Sequence, residues 1–330
     1  MKEQKMKYKI LLTSLLTLSA FNTTTFASSQ AIKDLAVQKT PANSYASYAK
    51  TKYPIVLAHG LFGFGSVFGV DYFYQIAPDL ARNGANIWET RVSTMNSSEL
   101  RGEQTLSQVQ EILAITGQSK VNLIGHSHGG QSVRYVAGVA PNIVASVTTI
   151  GSGNKGAKLA DILEGVLVGS VLERPARAIF DTLVSPVISF ASGLDPNVFP
   201  YDAKAALQAL GTKKSLEFNQ VFPNGVPSTS CGEGAYQVNG TYYYSFMGNS
   251  PFNSVLDPSD YGMLASSLLA GEGDGVAGRC SSRFGKVIRD TYQWNHLDEV
   301  NQLLGIRGIF SADPVQVYRE HANRLKLQGL

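Results

Sequence analysis

Ser127 stands at the centre of Gly125-His126-Ser127-His128-Gly129, after the apolar run Val121–Ile124 and before a helical pattern. A G-x-S-x-G pentapeptide in that setting predicts a nucleophile elbow. The serine backbone is strained, its Oγ stands above the sheet, and the flanking positions approach neighbouring backbone so closely that only glycine fits. A serine hydroxyl is a poor nucleophile at neutral pH, so the site also needs a histidine base and a carboxylate to orient it.

Five histidines are few enough for elimination. His126 and His128 flank the serine and are expected to leave the elbow in other directions. His59 precedes a glycine-rich turn where backbone rather than imidazole is wanted. His321, among Arg319, Arg324 and Lys326, is expected on a solvated helix face. His296, in QWNHLDEV after the last strand pattern, remains as the base and follows the chain order Ser, Asp, His. For the acid, Asp274 in GEGDGVAG has neighbours that turn sharply enough to aim a carboxylate. Asp257 and Asp260 in LDPSD, and Asp290 in a strand pattern, are the rivals, and position favours Asp274. Acyl transfer needs donors for a developing oxyanion. The backbone N–H of His128 at a helix N-terminus is one, and that of Leu61 in HGLFGF is the second, although HGLFGF alone also reads as an ordinary strand-ending turn.

The elements that must carry these residues follow from the pattern. Short apolar strands are expected at Tyr53–Leu57, Ala85–Val92, Val121–Ile124 and Val144–Ile150, with amphipathic helices at Gln104–Ile115 and Gln131–Ala140 between them. Strands alternating with helices of that length predict right-handed βαβ units and a mostly parallel sheet. From Lys155 to about Phe199 the alternation stops. Ile179, Phe180, Leu183, Val184, Val187 and Ile188 form one helical face there, so an insertion of about 155–200 is expected. Strands return at Tyr242–Met247 and Lys286–Tyr292, and a polar, basic helix at Pro314–Lys326 closes the chain.

At 330 residues, 44% hydrophobic and 16% charged, the chain can bury one large α/β core. Its start reads differently: four lysines in the first nine residues, an apolar run of about a dozen, then Thr25-Phe26-Ala27 at a cleavage spacing. Residues 1–27 are read as a secretory signal peptide and 28–330 as the mature domain; a membrane anchor is the alternative, and it needs nearly 20 apolar residues. Lys2, Lys5, Lys7 and Lys9 against Glu3 hold the whole formal charge of +3. The exported part is therefore near neutral, and no nucleic-acid partner is expected. Cys231 and Cys280, the only cysteines, fall in that part, where an oxidising compartment lets them pair; two buried thiols are the alternative.

The segments PIVLAHGLFGF, GVDYF, SSELRGEQ, VNLIGHSHGG, VRYVAG, STSCGEGAY, LDPSD, VIRDTYQWNHLDEVNQLLG and VYREHANRLK resemble the Pseudomonas-type secreted bacterial triacylglycerol lipases over nearly all of the mature chain. The resemblance implies an α/β-hydrolase fold with a helical lid, a triad on Ser127, Asp274 and His296, and an oxyanion hole from the backbones of Leu61 and His128. It also implies one structural Ca²⁺ held by the carboxylates of Asp257 and Asp298 and the main-chain carbonyls of Gln302 and Ile306, a mixed oxygen set that suits calcium. The implied partners are a lipid ester at a lipid–water interface, a membrane-anchored periplasmic foldase and a type II secretion pathway to the exterior. Two loops depart from the family pattern: Gly151-Ser152-Gly153-Asn154-Lys155-Gly156, and the acid loop GEGDGVAG. An amphipathic lid over a serine site can open at an interface; a permanently packed cap is the alternative. The expected activity is triacylglycerol hydrolysis through an acyl-enzyme, with a short-chain carboxylesterase and an inactive lipid-binding protein as the other readings.

Overall fold

In a parallel sheet covered by helices, strands are buried on both faces and read as near-continuous apolar runs. The computed structural model, which describes residues 41–63, 66–67, 70–167 and 197–330 together with the strand backbone at 37–38, has such strands at its centre. The expected signal peptide and most of the insertion lie outside these residues.

In chain order the elements are β1 (Val37–Gln38), β2 (Ile55–Ala58), the hairpin β3 (Ser66–Val67) and β4 (Val70–Asp71), α1 (Ile76–Arg82), β5 (Ile87–Thr90), α2 (Ser98–Thr116), β6 (Val121–His126), α3 (Gly129–Val139) and β7 (Val144–Ile150). There follow α4 (Lys158–Leu167), α5 (Ala203–Leu210), α6 (Thr212–Val221), β8 (Gln237–Val238), β9 (Thr241–Gly248), α7 (Pro258–Ala270), α8 (Arg279–Ser282), β10 (Lys286–Tyr292) and α9 (Pro314–Leu327). The sheet order is β1-β5-β2-β6-β7-β9-β10, with β8 paired to β9. All pairings from β5 across to β10 are parallel; β1 and β8 add antiparallel edges.

Alternation along the strands divides the core in two. Ile55, Leu57, Ile124 and Phe246 face α1 and α9 through Ile76, Leu80, Tyr318 and Ala322. Val56, Ala58, Leu123 and Val147 face α2 and α3 through Leu106, Val109, Ile112, Val133 and Val136. Local chemistry sets the helix ends. The Ser97 hydroxyl accepts Leu100 N–H to open α2, which stops at Gly117 with φ +65°, and Asp313 with Pro314 opens α9.

The expected strands are found within two residues at each end, α2 starts at Ser98, six residues before the expected Gln104, and the α/β-hydrolase arrangement of parallel sheet and flanking helices holds. The disulfide Cys231–Cys280 is formed. Helix α7, which separates β9 from the acid loop, was not read from the sequence, nor were α1, α5 and α6. Of the insertion, α4 is described; the apolar face at Ile179–Ile188 lies outside the described residues. None of the described helices is long and apolar enough to cross a membrane.

Candidate active site

The candidate residues gather at the carboxyl ends of the parallel strands, where open α/β sheets form their crevices. Strand β6 delivers Ser127 at φ 54°, in the left-handed region that a side chain adopts at a cost of roughly 1–3 kcal/mol. Its own N–H donates to Ile150 O at the end of β7 (2.8 Å), and Gly130 N–H donates to its carbonyl. The elbow can be this tight only with glycine on both sides. A Cβ at Gly125 would stand 2.3 Å from Gly129 O, and one at Gly129 would stand 2.2 Å from Ala58 O.

His296 follows β10. Its Nδ1–H donates to Asp274 Oδ2 at 2.7 Å, and its main-chain N–H donates to Asp274 O at 3.0 Å. With Nδ1 carrying the proton, Nε2 is the basic atom. The ring of His126, next to Ser127 in the chain, lies 4.6 Å from the His296 ring, so the His296 imidazole sits at the elbow. The fully buried Asp274 is fixed by a turn of its own loop: Oδ1 accepts Val276 N–H (2.8 Å) and Ala277 N–H (2.7 Å), which leaves Oδ2 for His296. The rivals are engaged elsewhere. Asp290 pairs with Arg279 and Arg283, while Asp257 and Asp260 hold the turn at the start of α7.

The loop after β2 carries the other expected donor. Within residues 60–63, Gly60 N–H goes to the Tyr72 hydroxyl, Phe62 N–H to Thr94 O and Gly63 N–H to Gly60 O. The N–H groups of Leu61 and His128 have no acceptor among the described residues. Arg101, buried at 0% exposure, holds this loop by donating to His59 O (2.6 Å), Gly60 O (3.1 Å), Thr94 O and Ser93 O. Burial lowers its pKa to about 10, so it stays cationic at neutral pH.

The histidines set aside in the sequence have structural work. His59 Nδ1–H donates to Gly60 O, and Val92 N–H donates to its Nε2; burial, with Arg101 second, lowers its pKa to about 3. His128 Nε2 pairs with Ser98 Oγ at 3.0 Å. The expectation for His321 is corrected: it is buried, not solvated, and bonds Thr148 Oγ1 at 2.8 Å, because α9 packs this face on the sheet. Burial holds its pKa at about 3.

Glu299, Tyr72 and Arg101 were not assigned roles from the sequence. Glu299 is fully buried: Oε1 accepts Gly248 N–H (2.7 Å), and Oε2 lies 3.1 Å from His126 Nε2 and 3.8 Å from His296 Nδ1. Burial and then the neighbouring Asp274 raise its pKa well above that of an ordinary glutamate. Its place beside Asp298 and His296 in NHLDE is a usable signal; Tyr72 and Arg101 lie in GVDYF and SSELRGEQ, which carry the family resemblance but do not mark their contacts with residues 59–60.

The structure draws Asp257 and Asp298 together with Asp260, all buried. Asp257 Oδ1 accepts from Ser259, Asp260 from Asn253 N–H and Asn295 Nδ2, and Asp298 Oδ2 from Asn253 Nδ2 and Asn295 N–H. Burial pushes the Asp298 pKa up to about 7, and the charges on Asp257 and Asp260 push the same way. No lysine or arginine pairs with any of the three among the described residues. The turn carrying Gln302 and Ile306 holds Asn301, Leu303, Leu304 and Gly305 at positive φ. Buried carboxylates with no lysine or arginine partner among the described residues, that of Asp298 three residues before a turn at positive φ that carries further carbonyl oxygens, fit a hard divalent ion with oxygen ligands.

The departing loop 151–156 is firmly tied. Asn154 Nδ2 donates to Thr149 Oγ1 and Ser282 O, Lys155 N–H to Ser281 O, and Lys155 Nζ to Thr229 O and Ser230 O, on both sides of the disulfide.

Residues 53–182 match the sequence profile of the alpha/beta hydrolase fold. The chain is 52% identical over 291 residues to a triacylglycerol lipase of Vibrio cholerae serotype O1, covering 88% of this chain and 92% of that one. It is 42% identical to a triacylglycerol lipase of Pseudarthrobacter phenanthrenivorans, covering 86% and 99%. Among solved structures, the lipase of Staphylococcus hyicus superposes with a TM-score of 0.60 at 15% identity, over 88% of this chain and 99% of that one; this likeness speaks to the fold.

Proposed function

The chain belongs to the triacylglycerol lipase family, and from that premise we propose that it hydrolyses lipid esters through an acyl-enzyme on Ser127. His296 Nε2 takes the proton of Ser127 Oγ as the oxygen attacks the ester carbonyl. The N–H groups of Leu61 and His128 receive the developing oxyanion. The protonated His296 then gives its proton to the leaving alcohol. Water, activated by the same imidazole, releases the fatty acid and restores the serine. Asp274 holds the Nδ1–H tautomer and faces the imidazolium charge as it forms. The observation that carries the reading is the double link of His296 to Asp274 beside a serine at positive φ.

The same reading places a Ca²⁺ with Asp257, Asp298 and the carbonyls of Gln302 and Ile306. Those residues would hold the ion, whose charge would pin the loop, and Asp298, two residues after His296, would pass that hold to the base. Export by the signal peptide at 1–27, folding with a periplasmic foldase, passage through a type II pathway and action at the lipid–water interface complete the proposal. Support for the interface comes from the exposed large apolar side chains Leu264 and Leu268 on α7 and Leu304, Ile309 and Phe310 near the His296 loop.

A serine-directed organophosphonate tests the site itself. Mass analysis is expected to find one adduct per chain, on the peptide that holds Ser127, and none on the Ser127→Ala variant. A protein that only binds lipid would leave the reagent unreacted.

A further inference from the structure

The reaction scheme gives Tyr72 no role, yet its hydroxyl bonds the loop that carries Leu61, on the side of Gly60 away from Ser127. Gly60 N–H donates to Tyr72 Oη at 3.1 Å. A Cβ built at Gly60 would stand 2.6 Å from Ser127 Cβ and 2.8 Å from Tyr72 Oη, so this backbone fills the gap between serine and tyrosine. The tyrosine is held in turn. Its hydroxyl lies 2.7 Å from His126 Nδ1, His126 Nε2 lies 3.1 Å from Glu299 Oε2, and Glu299 Oε1 accepts Gly248 N–H. A neutral imidazole offers one donor and one acceptor, so His126 can bridge hydroxyl and carboxyl in a single tautomer.

These contacts grip one peptide unit from both ends. The His59 carbonyl accepts from Arg101 at 2.6 Å, and the N–H of the same peptide, on Gly60, donates to Tyr72. The next unit carries Leu61 N–H, and its carbonyl, on Gly60, accepts from Arg101, Gly63 N–H and His59 Nδ1–H. Arg101 thus fixes carbonyls on one side only. Gly60 has no Cβ to restrict its φ and ψ. The hydroxyl is the hold on the opposite side. We infer that Tyr72, backed by His126, is a positioning residue that sets the direction of the Leu61 N–H toward the oxyanion. The inference rests on the reading of Leu61 as an oxyanion donor.

Preorganised donors act only when aimed at the place where charge develops, and removing one outright slows catalysis about 10²–10³-fold. A donor that is misdirected but still present loses less. In Tyr72→Phe the ring keeps its edge-on packing against Phe73 (5.1 Å) and only the hydroxyl goes. On a soluble ester, kcat is expected to fall about ten- to a hundredfold, with KM within about twofold. The ester-to-thionoester rate ratio separates positioning from general damage, because sulfur accepts hydrogen bonds poorly and gains little from an oxyanion hole. That ratio is expected to shrink in Tyr72→Phe and in His126→Gln. The double variant is expected to be no slower than the slower single, since both break one connection. If one variant fails to fold, the other makes the same comparison.

A Tyr72→Phe or His126→Gln enzyme with kcat within twofold of wild type, or one that slows with an unchanged ratio, overturns the inference. Ser127→Ala is run alongside. If it retains hydrolysis, the lipase reading itself falls; if it is inactive while Tyr72→Phe matches wild type, only the role of Tyr72 falls.

Discussion

His296 is tied to Asp274 twice, by Nδ1–H to Oδ2 at 2.7 Å and by main-chain N–H to the Asp274 carbonyl at 3.0 Å. Asp274 thereby fixes both the tautomer of the His296 imidazole and the path of the loop that carries it. Replacing its carboxylate should therefore change protonation more than position.

Asp274→Asn keeps the shape and turns the tautomer preference of His296 the wrong way, so kcat is expected to fall about 10⁴-fold. Asp274→Ala removes the competing amide and leaves Glu299, already 3.8 Å from His296 Nδ1, to accept the Nδ1–H hydrogen bond. Its residual kcat is expected to exceed that of Asp274→Asn and to disappear in Asp274→Ala with Glu299→Gln. Steady-state rates on a soluble ester decide; an Asp274→Ala enzyme as inactive as Ser127→Ala removes Glu299 from this role.

Calcium should act on stability before chemistry. Millimolar Ca²⁺ is expected to raise the melting temperature of the protein and a chelator to lower it, following the linkage of binding to folding. Asp257→Asn and Asp298→Asn should lose that response. Calorimetry with and without chelator reads it, and an unchanged melting temperature contradicts the assigned ligands.

Buried histidines make the fold acid-sensitive. His321 has a folded pKa of about 3 against about 6.5 when unfolded. Between those values the unfolded chain binds the extra proton. Its contribution to stability is therefore complete above pH 6.5 and is lost as pH falls toward 3, by up to about 1.4 kcal/mol per pH unit. His321→Gln can keep a bond to Thr148 and cannot titrate. Its stability relative to wild type should rise between pH 6.5 and 4 in denaturant titrations. A constant difference across that range contradicts the assignment.

The disulfide spans 49 residues and ties the region that holds the 151–156 loop. By the loop-entropy estimate, Cys231→Ser with Cys280→Ser costs at most about 4 kcal/mol. Denaturant midpoints should fall accordingly while KM for a soluble ester holds. A KM that rises as stability falls would place the bridge in substrate binding as well.

Much of this site was legible in the residues. The elbow at Ser127 is legible because glycine and serine spacing encodes a backbone requirement, and the choice of His296 as the candidate base because few histidines compete. Asp274 was placed by its glycine-rich loop, even though α7 intervenes between that loop and β9. What was not legible is what tertiary contact decides. Tyr72 and Arg101 reach the loop at residues 59–60 from elements whose local pattern does not mark that contact. His321 was assigned to solvent because its arginine and lysine neighbours dominate the local pattern, while the sheet packing that buries it is long-range. Helix α7 escaped because its apolar residues, several of them exposed, give no clean amphipathic stripe.

The most direct measurement compares hydrolysis of emulsified long-chain triacylglycerol and of a soluble short-chain ester by wild type and Ser127→Ala, each folded in the presence of a foldase. The account predicts that wild type cleaves the emulsion and that the alanine variant cleaves neither substrate. Cleavage of the soluble ester alone would make the protein a short-chain esterase, and full activity in Ser127→Ala would contradict the nucleophile on which every other assignment depends.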